Sequence, residues 1–139
     1  MRVEVELRGV ALDRQAALIE RAMPEATAAA AQELASSFTR WLNQPGSGVE
    51  YPSRTGAGTH RASAPGEPPA PDRGELRDSV QGRSDDTSAT VTVASPAGYL
   101  DQGTSRIAPR PFVDRAIDDA MPGIADAIVG VIAVAIREE

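Results

Sequence analysis

Between Gln44 and Gly74 the chain carries six of its 11 prolines and six of its 12 glycines, with almost no aliphatic residue. Proline removes a backbone donor and fixes φ, glycine loses the most entropy on ordering, and a segment without aliphatic side chains has little to bury. Residues 44–73 are therefore read as a long extended loop or arm, held by whatever the flanking segments build. A structureless stretch of this length inside a domain usually means function or disorder. Two short extended pieces within it, Val49 to Ser53 and His60 to Ser63, can pair as a loose hairpin.

The flanks are regular. Val3, Val5 and Leu7 alternate with Arg2, Glu4, Glu6 and Arg8, the period of a strand with one wet face, and Gly9 permits a turn. Helical spacing follows in Leu12, Ala16, Ile19 and Met23, with Asp13 placed as N-cap. Pro24 costs a helical bond, so the expectation is a short helix ending near Ala22 and a second running from Pro24 to about Asn43. The second has an Ala-rich middle that lets another backbone approach, and an apolar face of Leu34, Phe38, Trp41 and Leu42.

After the arm, Leu76 and Val80 are expected in a strand, polar Gly82 to Ser88 in a turn, and Ala89, Val91 and Val93 in a second, antiparallel strand. An irregular segment with Tyr99 and Leu100 leads to Gly103. Phe112, Ala116, Ala120, Ile124, Ile128, Val131 and Ala135 then mark one face of a C-terminal helix, with a kink expected at Pro122-Gly123. The 139 residues suit one domain, 1–139, of the α+β class: a small antiparallel sheet packed by a long N-terminal helix and a C-terminal helix, plus the arm.

Aromatics are only 4% of the chain, so the core must be aliphatic and modest. Absence of cysteine removes disulfides and thiolate ligands. A net charge of −6 and a pI near 4.8 argue against gripping nucleic acid, which relies on clustered cations. MRVEVELRGV has no apolar h-region, so a cytoplasmic start is expected. Ala127 to Ile136, ten apolar residues bounded by Asp126 and Arg137, falls short of the roughly 20 needed to span a bilayer and reads as a buried helix face with no membrane role.

Catalytic chemistry finds little support. His60 is the sole histidine, beside Arg61, with no second histidine or cysteine to share a metal. Asp85-Asp86 and Asp118-Asp119 are adjacent pairs whose side chains diverge, and read as solvated charge. Gly56, Gly58 and Gly66 lack the strand, helix and lysine of a phosphate loop, and Ser53, Ser63 and Ser79 sit in no nucleophile-elbow pattern. Arg54, His60, Arg61 and Arg73 make the arm locally basic, offset by Glu50, Glu67 and Asp72. No catalytic residue, metal or cofactor is assigned.

The block HRASAPGEPPAPDRGELRDSV, a Val/Thr strand, GYLDQGTS and PRPF before a terminal helix together resemble the neck or head-tail joining (tail-completion, head-tail connector) family of long-tailed bacteriophages. The motif likeness covers about half the chain and the element order all of it. The family pattern runs A-P-G-x-x-P, then P-x-x-[TS]-G-x-L-x-x-S, then an aromatic with E-x-G-T, then [AR]-x-P-F. Ala64-Pro65-Gly66, Gly74, Leu76, Ser79, Tyr99, Gly103-Thr104 and Arg110-Pro111-Phe112 occupy those places. Arg73 replaces a small hydroxyl residue, Gln102 stands near the expected acid, and Arg115 follows where Pro-Ala is common. Read physically, Gly74 and Gly103 supply positive φ, Pro109 and Pro111 stiffen the approach to the last helix, and Phe112 plugs the core.

The resemblance implies a non-enzymatic virion protein made in the bacterial host cytoplasm. It would form a homo-oligomeric ring, hexamer or dodecamer, at the head-tail junction, between a head connector or stopper protein and a tail terminator or tail tube protein. DNA would pass through the lumen without specific binding, which an acidic surface favours. Subunit or partner contacts are expected at Arg54, His60, Arg61, Pro65, Arg73 and Arg110. The alternatives are a tail terminator or minor tail protein, and, more remotely, a small hydrolase or nuclease using His60 and Arg61.

Overall fold

A computed structural model describes residues 1–6, 13–53 and 56–137, with 13–15 given by their backbone alone. In chain order the elements are β1 (Arg2–Glu6), α1 (Asp13–Trp41), β2 (Glu50–Pro52), β3 (Thr59–Arg61), α2 (Glu75–Asp78), β4 (Gln81–Ser84), β5 (Ser88–Thr92), α3 (Ala97–Gln102) and α4 (Val113–Arg137). This is the α+β arrangement read from the sequence. Leu7, Gly9 and Leu12 lie outside the described residues.

One sheet has the order β1-β5-β4, all antiparallel; the other is the β2-β3 hairpin. Val3 pairs with Val91 and Val5 with Ala89, so the alternating apolar residues of β1 and β5 share one face. On the β4 side Gly82 stands opposite Val91. A Cβ there would lie 2.8 Å from the carbonyl oxygen of Ala31, so glycine is what lets β4 press against the Ala-rich middle of α1. The β4–β5 turn is fastened to the same helix. The buried Thr27 hydroxyl lies 2.5 Å from the Asp85 carbonyl oxygen and 3.0 Å from that of Pro24.

α1 is the hub, packed along α4 on one side and against β4 and β5 on another. The two long helices run antiparallel. Ser37 donates to the Ala116 carbonyl at 2.7 Å, Trp41 Nε1 to Asp119 at 2.7 Å, and Phe38 meets Phe112 edge to face at 5.9 Å. Small Ala30, Ala116 and Ala120 are buried between larger Leu34, Phe38, Phe112 and Ile124. Trp41 is half-buried and packs against this core, with the Arg115 guanidinium over its ring at 5.9 Å.

Five expectations need correction. α1 does not break at Pro24. Pro24 is exposed, as is Glu20, whose carbonyl loses its helical donor, and the buried Ala22, Ala26 and Thr27 carry the helix across. α4 is likewise one continuous helix through Pro122, and Gly123 there makes room for Glu33, whose carboxylate would lie 2.6 Å from an added Cβ. Leu76 stands not in a strand but in α2, Val80 precedes the strand, and the strand runs Gln81–Ser84, leaving Asp85 to Thr87 as the turn. Tyr99 and Leu100 belong to a short helix, α3. Finally, Ala127 to Ile136 is not a buried face, since every residue in it is half-buried or exposed.

Candidate interaction surface

The arm is tied down rather than loose. Its β2-β3 hairpin forms as expected, Tyr51 opposite His60, while Pro68, Pro69 and Gly74 are buried against the body. Gly74, at φ 82°, opens α2 in the left-handed region that glycine alone enters freely. Arg77 reaches from α2 to Asn43 Oδ1 at 2.7 Å, binding both ends of the arm together.

Glu67 ties two parts of the arm together. Its carboxylate accepts the Ser47 hydroxyl, the Ser47 backbone N–H at 3.0 Å and the Ala64 N–H at 2.8 Å. These donors favour the charged form, led by the Ser47 hydroxyl and helped by the charge of Arg110, and bring its pKa down to about 2. The sequence reading counted Glu67 only as neutralising charge. Its signal was an acid placed three residues after Ala64 in S-A-P-G-E, the spacing of a side chain that closes a turn on itself.

A second carboxylate organises the C-terminal half of the same surface. Asp101 Oδ1, at the end of α3, accepts the N–H groups of Phe112 and Val113 at 2.9 and 3.0 Å. It thereby satisfies donors that the first turn of α4 leaves without helical partners. The D-x-G-T spacing puts the acid at Asp101, one residue before Gln102. Gly103, at φ 77°, then turns the chain so closely that a Cβ would sit 2.9 Å from both the Ile107 carbonyl oxygen and the Pro109 ring. Thr104 closes that turn, its hydroxyl accepting the Arg106 and Ile107 N–H groups.

These pieces meet. The Gly66 N–H donates to the Pro109 carbonyl at 3.2 Å, and the Arg110 N–H to the Leu100 carbonyl at 2.7 Å. Ser79 supports the next layer, accepting the Ala94 N–H at 3.1 Å while donating to the Leu76 carbonyl. Motif residues spread over almost fifty positions thus form one continuous surface. Its exposed large apolar side chains are Tyr99, 66% exposed, and Ile107, 44% exposed, and Pro65, Gly66 and Arg106 are exposed as well.

Of the six expected contact residues, Pro65 and Arg110 belong to this surface, the Arg110 guanidinium lying 3.3 Å from the Ala108 carbonyl oxygen. Arg61 is on the hairpin, paired with Glu50 at 3.5 Å. His60 lines an open cleft with Leu42, Asp72 and Arg73, and Arg73 also meets Glu75 at 3.5 Å. Arg54 lies outside the described residues. The five described ones are therefore spread over several places rather than gathered into one. Among the described residues no three His, Cys, Asp or Glu side chains come together as a metal site.

Asp85 is more than solvated charge. It accepts the N–H groups of Thr87 and Ser88 and the Ser88 hydroxyl, which hold its pKa below the usual carboxylate range and shape the β4–β5 turn.

Comparison with protein-family models, with curated proteins and with solved structures finds no match.

Proposed function

We propose that this chain is a non-enzymatic virion protein, one subunit of a ring at the head-tail junction of a long-tailed phage. It joins the head connector to the tail and leaves the channel open to DNA. The observation that carries the reading is the convergence of the quoted motif pieces. Ala64-Pro65-Gly66, Tyr99, Gly103-Thr104 and Arg110-Pro111-Phe112 are bonded into one surface that presents an aromatic and an aliphatic side chain beside cations. An exposed ring with an arginine rim is the composition of a protein-docking site. The arm supplies reach, and its carboxylate tie at Glu67 makes that reach a fixed shape, so little ordering entropy is lost on docking.

A net charge of −6 suits a channel through which phosphates slide without adhering. The motif pieces also suit a tail terminator or minor tail protein, and gene order between head and tail genes separates those stations.

The test is genetic. A Tyr99→Ala, Ile107→Asp variant keeps the fold, since both side chains are exposed, and the phage that encodes it should accumulate filled heads and free tails that do not join. Joined, infectious particles at wild-type yield would refute the docking role. Abolished substrate turnover with normal assembly in His60→Ala would favour the hydrolase alternative.

A further inference from the structure

Toward its C-terminus α4 leaves the sheet behind. The sheet meets α1 at Thr27, which bonds the Asp85 carbonyl, and at Ala31, which Gly82 approaches closely, and beyond them, among the described residues, α4 lies beside the first half of α1. Val129 is 66% exposed and Val134 53%. Gly130 is also exposed, and nothing lies within 4 Å of where its Cβ would be. An open groove runs alongside, with Val131, Val134 and Ala135 on one wall and Leu18, Ala22 and the charged Arg21 and Glu25 on the other.

The exposed stripe has a self-complementary order. Asp126 and Arg137 are both exposed and eleven residues apart, about three helical turns or roughly 16 Å, so they share a face. Val129, Gly130, Ala133 and Val134 lie on that face between them, at the three- and four-residue spacing of neighbours on a helix. Turned end for end, the stripe presents the same sequence of chemistries with the charges exchanged. In an antiparallel pair whose two-fold axis passes between Val131 and Ile132, Asp126 faces the partner's Arg137. Val129 then faces the partner's Val134, and Gly130 faces the partner's Ala133.

We propose that two copies of this chain associate through the exposed stripe of α4, packed antiparallel about a two-fold axis and sealed at each end by Asp126 against the partner's Arg137. The contact covers an apolar surface that water would otherwise face. Being isologous it is saturated at two copies, so it is separate from the subunit-to-subunit contact of a ring and stands whether or not the ring reading does.

Sedimentation velocity on the full chain tests it. The wild type should be a reversible dimer, and Asp126→Arg or Arg137→Asp alone should weaken it about tenfold, because each reversal turns two attractive pairs repulsive. An equimolar mixture of the two variants should dimerise as well as wild type, since in the mixed pair every facing charge is again opposite. Unchanged urea midpoints of the variants at concentrations where all are monomeric establish that the fold is intact. A wild-type chain that stays monomeric up to its solubility limit overturns the proposal. So does an oligomer of any size indifferent to both reversals, or a mixture that does not regain affinity. α4 is by length and composition apolar enough to cross a membrane, so phosphatidylcholine vesicles form a further arm. Flotation with them that Val134→Glu abolishes would assign the stripe to lipid and also overturn the proposal.

Discussion

Replacing Phe112 by alanine removes the side chain on which the junction of the two long helices closes. Phe112 is fully buried and its ring stands edge to face on Phe38, with an interplanar angle of 82°. Large-to-small substitution at such a site costs about 3–5 kcal/mol, because neighbours held by their own packing collapse only partly into the void. A chain of this length is stable by about 7–20 kcal/mol, and a core so poor in aromatics belongs near the lower end, so the loss is a large share. With a urea slope of ~1–2 kcal/mol/M, the midpoint of equilibrium unfolding should fall by about 1.5 M or more. Phe38→Ala in the same series gives a double-mutant cycle, with a ring-to-ring coupling of about 0.5–1.5 kcal/mol expected. Trp41→Phe is the control, keeping most of a half-buried ring and losing the bond to Asp119, and should cost only about 1 kcal/mol. A Phe112→Ala midpoint shift below roughly 0.5 M, at unchanged slope, would refute the assignment of Phe112 as the plug of the core.

Three further outcomes follow from particular contacts. Asp101→Ala leaves the first N–H groups of α4 without their acceptor and should cost about 1–2 kcal/mol in the same assay, with faster amide exchange at Phe112 and Val113. Glu67 should titrate near pH 2 by carboxyl-carbon NMR. Because its folded pKa is depressed, the stability it contributes is complete above its ordinary value near 4.5 and fades as pH falls from there toward 2. A midpoint near 4.5 would show that the bonds to Ser47 and Ala64 are not made in solution. Gly82→Val drives a side chain into the Ala31 carbonyl and should detach β4, seen as loss of amide protection in Gln81–Ser84 with β1 and β5 still protected.

Pattern recognition reached the elements whose periodicity is strong and missed those decided by tertiary contact. Alternation in Val3, Val5, Val91 and Val93 is enough to place β1 and β5, and the 3.6 period from Phe112 to Ile124 is enough to place the buried half of α4. Pro24 misled because a lone proline looks like a break until the burial on both sides of it is known. Leu76 looked like a strand residue because the short α2 turn that carries it depends on Gly74 at positive φ and on Arg77 reaching Asn43, neither of which has a periodic signature. Apolarity from Ala127 onward could not reveal that one side of this stretch, at Val129 and Val134, stays exposed among the described residues. Chemistry of the candidate surface was legible as a motif set, but its two organising carboxylates, Glu67 and Asp101, were not. An acid that accepts backbone N–H groups leaves no trace in charge counts, and only the fold brings Asp101 to the start of α4.

On the proposed reading, electron cryo-microscopy of mature particles produced from the genome that carries this chain's gene is the most direct test. The account predicts a closed ring of this chain at the head-tail junction, with Tyr99 and Ile107 turned toward a neighbouring ring and the lumen wide enough for duplex DNA. Particles complete in head and tail, with no density for this chain at the junction and none of it in their protein content, would contradict it.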